Sequence, residues 1–297
     1  MTDLVEISSA GLTAKINPLG AELWSLTDQQ GREYMTSADP AFWSGHAPIL
    51  FPNVGELAGG TYRIGGKEYA LARHGFARRN PFELVEHRGH LARFRLRDSE
   101  QTRAVYPFAF ELELAFRLAG MRLEVEALVR NTGTGDLPFS LGFHPGFAWP
   151  LPGGGDKLAH AIRFQSDEPL DIWRLDADGL VSDGEASPVR GKLLALDPAL
   201  FERDAMIWDE LRSTWVEYAG GAGAPSLRVD CPDLPYLGLW QKPGADFICI
   251  EPWHGLADDA GYAGDFREKR GVIVLPPAQV RSFRMDVTVT PAKETQP

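Results

Sequence analysis

The sequence holds only two cysteines, Cys231 and Cys249, too few for a disulfide framework. Each falls in or beside an apolar run, which reads as a buried free thiol. No stretch approaches the roughly eighteen consecutive apolar residues of a spanning helix, so no membrane partner is expected. Met1–Glu6 has neither a basic n-region nor an apolar h-region, and a cytoplasmic protein is expected. Nucleotide signatures are missing: no Gly-x-Gly-x-x-Gly leads a strand into a helix, and no Gly-Lys-Ser/Thr occurs. The seven histidines show no spacing such as His-x-x-x-His beside acids, so no metal and no cofactor is expected. Positive charge is short as well. A net charge of −11 repels polyanions and argues against nucleic acid as a partner. Helical periodicity is scarce, with weak turns around Ala38–Trp43, Pro198–Arg203 and Asp259–Arg270.

What the chain does contain is a succession of strand-length runs between turn signals. Val5–Ser8, Leu12–Asn17 and Glu22–Thr27 are broken by Gly, Asn-Pro and Asp-Gln-Gln-Gly. Phe82–His87, Leu91–Arg97, Phe110–Leu118 and Leu123–Asn131 alternate apolar with polar residues. That alternation predicts a sheet with one packed face and one wet face. Further runs are Ala205–Trp208, Thr214–Tyr218, Ser226–Asp230, Tyr236–Gln241, Phe247–Ile250, Gly271–Leu275 and Val280–Val289. Ala47–Val54 carries two prolines and reads as an irregular edge, while Gly59–Tyr69 reads as a hairpin. Residues 150–200 are rich in Gly, Asp and Pro and predict long loops on one rim, with weak strands at Ala161–Gln165 and Leu193–Leu196. So many short strands without βαβ alternation predict an all-β fold, a large antiparallel β-sandwich, because each sheet must hide one face. One domain is expected across residues 1–297, and the polar tail from Pro291 is expected to be disordered.

Two stretches carry chemistry. In Leu141-Gly142-Phe143-His144-Pro145-Gly146-Phe147, a titratable imidazole sits between glycines that permit close approach. Phe143 and Phe147 offer an apolar wall on which a sugar ring could stack. In Asp246–Gly255 a hydrophobic strand pattern delivers Glu251 just before Pro252 is expected to end it. A histidine and a carboxylate together make an acid/base pair. The plainer alternatives are a buried histidine satisfied by backbone and a strand-end carboxylate in a salt bridge. A third cluster, Arg73, His74, Arg78 and Arg79, could meet an anionic group.

With these residues in view, the chain resembles the aldose 1-epimerase (galactose mutarotase-like) family, and within it the LacX-like bacterial branch. The resemblance runs over residues 10–290. It rests on Ala47-Pro48-Ile49-Leu50-Phe51-Pro52-Asn53-Val54-Gly55, His74-Gly75-Phe76-Ala77-Arg78, the Gly142–Phe147 stretch, and Cys249-Ile250-Glu251-Pro252-Trp253, in that order. It implies a β-supersandwich with a sugar cleft and a small-molecule sugar as partner. On this likeness His144 matches the acid and Glu251 the base. His74 matches a sugar contact, with Arg78 its neighbour, and Asn53, in a matching motif, is expected to bind substrate. A sugar-binding aspartate is matched by Asp204, with Asp209 possible. Glu56 stands where many relatives carry a basic residue, which leaves the substrate-contacting arginine open.

Interconverting sugar anomers requires ring opening, rotation about C1–C2 and closure on the other face. A base takes the C1 hydroxyl proton while an acid protonates the ring oxygen, and closure reverses the roles. The leading expectation is therefore an aldose 1-epimerase acting on a hexose. One alternative keeps the pair but acts on a hexose 6-phosphate gripped by Arg73, Arg78 or Arg79. Another is a non-catalytic carbohydrate-binding protein that keeps the cleft. A glycosidase would need two carboxylates, and one stands out here. The pair is expected to face one cleft with side chains roughly 4–8 Å apart. The carboxylate is expected to favour imidazolium, and Arg78 to keep Glu251 ionised.

Overall fold

In the computed structural model of the chain, residues 3–168, 171–221 and 223–292 are described; positions 293–297 of the tail expected to be disordered lie outside them. Strands take 47% of the residues and helices 8%. The alternating sequences become strands with one buried face. Phe110–Ala119 buries Phe110, Leu112, Leu114, Phe116 and Leu118, and its hairpin partner Arg122–Asn131 does the same.

Two large antiparallel sheets result. The nine-stranded sheet runs Leu193–Ala195, Ala161–Phe164, Trp215–Ala219, Ser226–Asp230, Val280–Thr290, Arg122–Asn131, Phe110–Ala119, Leu91–Arg97, Glu83–Arg88. The eight-stranded sheet runs Val181–Ala186, Asp171–Leu175, Met206–Trp208, Tyr236–Trp240, Phe247–His254, Leu141–Phe143, Ile49–Leu50, with Gly146–Ala148 also on Phe247–His254. One apolar cluster holds the inward residues of both: Leu112 and Val287 from the first, Leu239, Ile248 and Ile250 from the second. This is the large sandwich that the alternation predicts.

Three points differ from expectation. Residues 150–200 are not all loop, because Asp171–Leu175 and Val181–Ala186 form a hairpin at the edge of the eight-stranded sheet. Polarity hides the edge strand Val181–Ala186, which has less apolar surface to bury, and Asp171–Leu175 is only five residues long. Ala38–Trp43 and Asp259–Arg270 hold the weak turns expected of them, the latter a 3-10 turn at Phe266–Glu268. Glu100–Val105, capped by Ser99, is an α-helix that apolar periodicity does not reveal. Pro252 does not end its strand, which continues to His254.

His46 lies on the loop leading into Ile49–Leu50. It is buried, stacks on Trp24 with ring centroids 3.9 Å apart, and leaves Nδ1 without a hydrogen bond among the described residues. Burial lowers its pKa to about 4, whereas an unfolded histidine titrates near 6.5. The unfolded chain therefore takes the proton first, and stability is lost as pH falls from about 6.5 to about 4. Urea titrations at the two ends of that window should show His46→Phe removing on the order of 3 kcal/mol of the acid loss. Equal losses in both proteins would mean a solvated His46.

Candidate active site

The site grows from one strand pair. Gly142 lies opposite Trp253 and Gly146 opposite Cys249 in the same antiparallel register. Continuing that register through the gap places His144 directly across from Glu251. Directly opposed residues on one sheet face have Cβ atoms only about 5 Å apart. The side chains meet: His144 Nε2 lies 3.1 Å from Glu251 Oε2. The ladder breaks at this point because Pro145 and Pro252 have no N–H to donate, although Ile250 N–H still reaches Pro145 O at 3.2 Å. The expected separation of 4–8 Å is therefore wrong, because it follows from requiring each group to reach its own sugar atom and ignores how the two motifs pair. They are neighbouring rungs.

Alternation fixes which side chains join them. Cys249, Glu251 and Trp253 share one face of Phe247–His254, while Ile248 and Ile250 enter the core between the sheets. On the partner strand, His144 faces the cleft and Phe143 and Phe147 face the core. The phenylalanine wall is thus a core feature. Its place is taken by tryptophans: Trp43 stacks on His144 at 5.0 Å between centroids, and Trp240 and Trp253 line the same cleft. Trp253 can lie flat because its neighbours are glycines. A Cβ at Gly142 would come 2.4 Å from its Cδ1, and one at Gly238 would come 2.4 Å from its Cη2. Sequence spacing offers no route to Trp43, which lies in a separate loop far from His144.

The cleft has a volume of about 330 Å3, and Arg73, His74, Arg78, Asp204, Lys242 and Glu251 all line it. His74 adopts a left-handed backbone, φ +65, which is uncommon outside glycine. Gly55 N–H donates to its Nδ1 at 3.1 Å. That bond makes Nδ1 the acceptor and leaves the ring proton on Nε2. The Arg73 Nε contact at 3.3 Å to the same Nε2 is then a packing contact, since both groups would be donors. Asp204 also has a left-handed backbone, φ +64. Asp209 is held by Arg270 at 2.5 Å and does not line the cleft, which separates the two aspartate candidates. Arg79 donates to Gly75 O at 2.8 Å and also stands outside it.

Asn53 is corrected too. It is fully buried, donates from Nδ2 to Gly55 O at 3.0 Å and accepts from Lys269 Nζ at 2.8 Å. Its amide braces the loop that carries Gly55 and does not line the cleft. Lys269 was invisible in the sequence pattern. It is buried beneath this loop, bonding Leu256 O at 2.6 Å and pairing with Asp258 at 3.2 Å.

Burial dominates the electrostatics. It pushes the Glu251 carboxyl well above its ordinary range, with Arg73 and Arg78 pulling the other way and Asp204 adding to the rise. It holds His144 down at about 3, aided by Arg78 and Arg73. The expected imidazolium is thus not the favoured form of the free site: desolvation outweighs the neighbouring carboxylate. Both partners favour neutrality, which leaves one titratable proton on the pair, held by the carboxyl. His144 Nδ1 and Trp253 Nε1 are buried without hydrogen bonds among the described residues. Ligand atoms of His144, Cys249 and Glu251 lie within 4.8 Å of one another, so these three are the residues that could hold a metal ion.

Residues 3–217 match the family model described as aldose 1-epimerase. The chain belongs to the aldose 1-epimerase family. Within it, the chain is 31% identical over 295 residues to Protein LacX of Lactococcus lactis subsp. lactis, chromosomal and plasmid forms alike, covering 96% of this chain and 99% of theirs. Among solved structures, a galactose mutarotase related enzyme from Lactobacillus acidophilus superposes with a TM-score of 0.92 at 31% identity, covering 98% of this chain and 99% of that one. A galactose mutarotase-like protein from Lactobacillus casei gives 0.91 at 29%, covering 97% and 100%. The fold of this epimerase-family chain is therefore the galactose mutarotase-like sandwich, and the family supports a sugar-epimerase role.

Proposed function

We propose that the protein interconverts the anomers of a free hexose, with Glu251 as base and His144 as acid. The observation that carries this reading is the buried imidazole–carboxyl contact of 3.1 Å on a cleft wall. The C1 hydroxyl and the ring oxygen of a pyranose are bonded to the same carbon. A base and an acid that serve both at once must stand side by side, as adjacent strand rungs do. Moving the shared proton from Glu251 to His144 Nε2 gives the working form, carboxylate and imidazolium. Glu251 then takes the proton of the C1 hydroxyl, the C1–O bond becomes a carbonyl and the bond from C1 to the ring oxygen breaks. His144 delivers its proton to the ring oxygen. After rotation about C1–C2, the same steps in reverse close the ring on the other face. His74 Nε2–H, Arg73, Arg78 and Asp204 supply donors and acceptors for the hydroxyls, and Trp43, Trp240 and Trp253 supply ring faces.

A second reading, a hexose 6-phosphate, draws on Arg73 and Arg78 lining one cleft. Polarimetry of anomerically pure aldoses and hexose phosphates tests both readings. Faster mutarotation of a free hexose supports the first, acceleration confined to phosphates supports the second, and none with any sugar sinks both.

The pH profile tests the shared proton. The pair keeps its single proton until His144 gains a second one near its lowered value, about 3. The plateau of kcat/KM should therefore extend well below the ordinary histidine range near 6.5. Activity should fall on the alkaline side, once the pair loses its only proton. An acid limb centred near 6.5 would show that His144 titrates as a solvated group.

A further inference from the structure

Strand alternation brings a soft donor beside the acid/base pair. Cys249 stands two residues before Glu251 on Phe247–His254, so both side chains leave the same face of the strand. One ring nitrogen of His144, the Cys249 sulfur and one Glu251 oxygen all lie within 4.8 Å of one another. Histidine spacing in the sequence does not show this group, because its members come from two paired strands.

The triangle is close to what a tetrahedral ion needs. Zinc bonds of about 2.0–2.2 Å to nitrogen and oxygen place those two ligands about 3.4 Å apart, and His144 Nε2 stands 3.1 Å from Glu251 Oε2. With a bond of about 2.3 Å to sulfur the other edges are about 3.6 Å. Measured against the 4.8 Å bound, the sulfur has to close in by about 1.2 Å at most.

Charge and access agree with this. A divalent ion against one carboxylate, one thiolate and a neutral imidazole carries no net charge, the form a buried place favours. Burial favours the thiol form of Cys249, yet a coordinating thiol is deprotonated outright. Binding therefore releases two protons to solvent, one from the His144–Glu251 pair and one from the thiol. Mixed nitrogen, sulfur and oxygen donors suit zinc or cadmium, whereas magnesium and calcium take oxygen alone. Cys249 is fully buried with Ala245 and Phe247, against Trp43 and Trp240. His144 and Glu251 line the cleft, so an ion reaches the thiol past them, and its fourth position opens to the cleft.

We propose that His144, Cys249 and Glu251 form a site for zinc-like divalent ions, and that its occupancy switches the enzyme off reversibly. The bound ion holds the lone pairs on which the proton has to move. The binding stands on its own, while the inhibition rests on the anomerase reading above.

The test uses the full chain cleared of metal with EDTA and then given zinc, cadmium or magnesium chloride. Cadmium should raise the ultraviolet charge-transfer band of a cadmium–thiolate bond, and zinc should remove most of the polarimetric rate until EDTA restores it. Magnesium should do neither. In Cys249→Ser the band should vanish. Its half-inhibiting zinc concentration, read against its own metal-free rate, should rise by roughly 10–100-fold or more, since losing even an outer partner of a metal costs that much. Cys249→Ala is measured beside it, so that a folding defect in one variant still leaves a comparison, and Cys231→Ser should behave as the wild type. No band in the wild type, a band that persists without Cys249, or a band that forms while zinc leaves the rate unchanged would overturn the proposal. A chain that accelerates no sugar, yet shows the band and loses it without Cys249, would refute the anomerase reading and keep the metal site.

Discussion

Replacing Glu251 with Gln, or His144 with Asn, is expected to lower kcat for anomerisation by roughly 10²–10⁴-fold, the usual worth of one positioned acid or base. Because a single proton serves both groups, the double variant should be no slower than the worse single variant. KM should move only a few-fold, since the proposed hydroxyl contacts come from other residues of the cleft lining, His74, Arg73, Arg78 and Asp204. The Gln and Asn side chains keep hydrogen-bonding capacity at the contact between the two residues, so loss of folding is not the expected cause. Rates measured by polarimetry on the two singles and the double decide the matter. Wild-type rates in either single variant would move the chemistry to another group, with His74 the nearest imidazole at 5.7 Å between ring centroids.

The largest effect on stability is expected at Lys269. Its ammonium is buried, and desolvation lowers its pKa to about 8 despite the pull of Asp258. The two charges lie 3.2 Å apart, yet Asp258 Oδ1 has no hydrogen bond among the described residues; the contact is an ion pair without hydrogen-bond geometry. Lys269→Met keeps the stem but strands Asp258 as a buried charge and leaves Asn53 Oδ1 and Leu256 O without their donor. Breaking a buried pair in this way costs about 3–5 kcal/mol, which urea denaturation would read as a lowered midpoint. Removing both charges with Asp258→Asn should recover part of the loss. An unchanged midpoint in Lys269→Met would mean that the ammonium reaches water. Gly55, whose N–H sets the His74 tautomer, sits on the loop that Lys269 and Asn53 brace, so the same variant should also raise KM.

Much of the sandwich was legible because alternation is a local property. Leu91–Arg97 and Phe110–Leu118 announce their buried faces within a few residues. The Asp171–Ala186 hairpin was not legible, because its edge strand Val181–Ala186 is polar and Asp171–Leu175 is too short to announce a period. The two chemical motifs were legible as motifs, but their separation was not, since register is a relation between strands that neither sequence contains alone. The same gap explains the misplacement of Phe143 and Phe147. Once His144 faces the cleft, its neighbours on the strand must face the core, but that follows only after the pairing with Glu251 is known. Proline was over-read in one place. Pro252 was taken as a terminator, whereas its missing N–H falls where the ladder is already open beside Pro145. Lys269 and Trp43 left no local trace, because a buried charge and a stacking ring are defined by what covers them.

The strand Val280–Thr290 lies between Ser226–Asp230 and Arg122–Asn131, in the middle of the nine-stranded sheet. Synthesis runs from the other end. Until these residues leave the ribosome, the other strands of the sheet form two separate blocks, each with an unpaired edge, ten residues in Arg122–Asn131 and five in Ser226–Asp230. Such edges pair readily with the wrong chain, and closure across so many residues is slow. Among the described strands of this sheet the keystone is the latest in the sequence. A chain cut before residue 280 would hold two open half-sheets with nothing to join them.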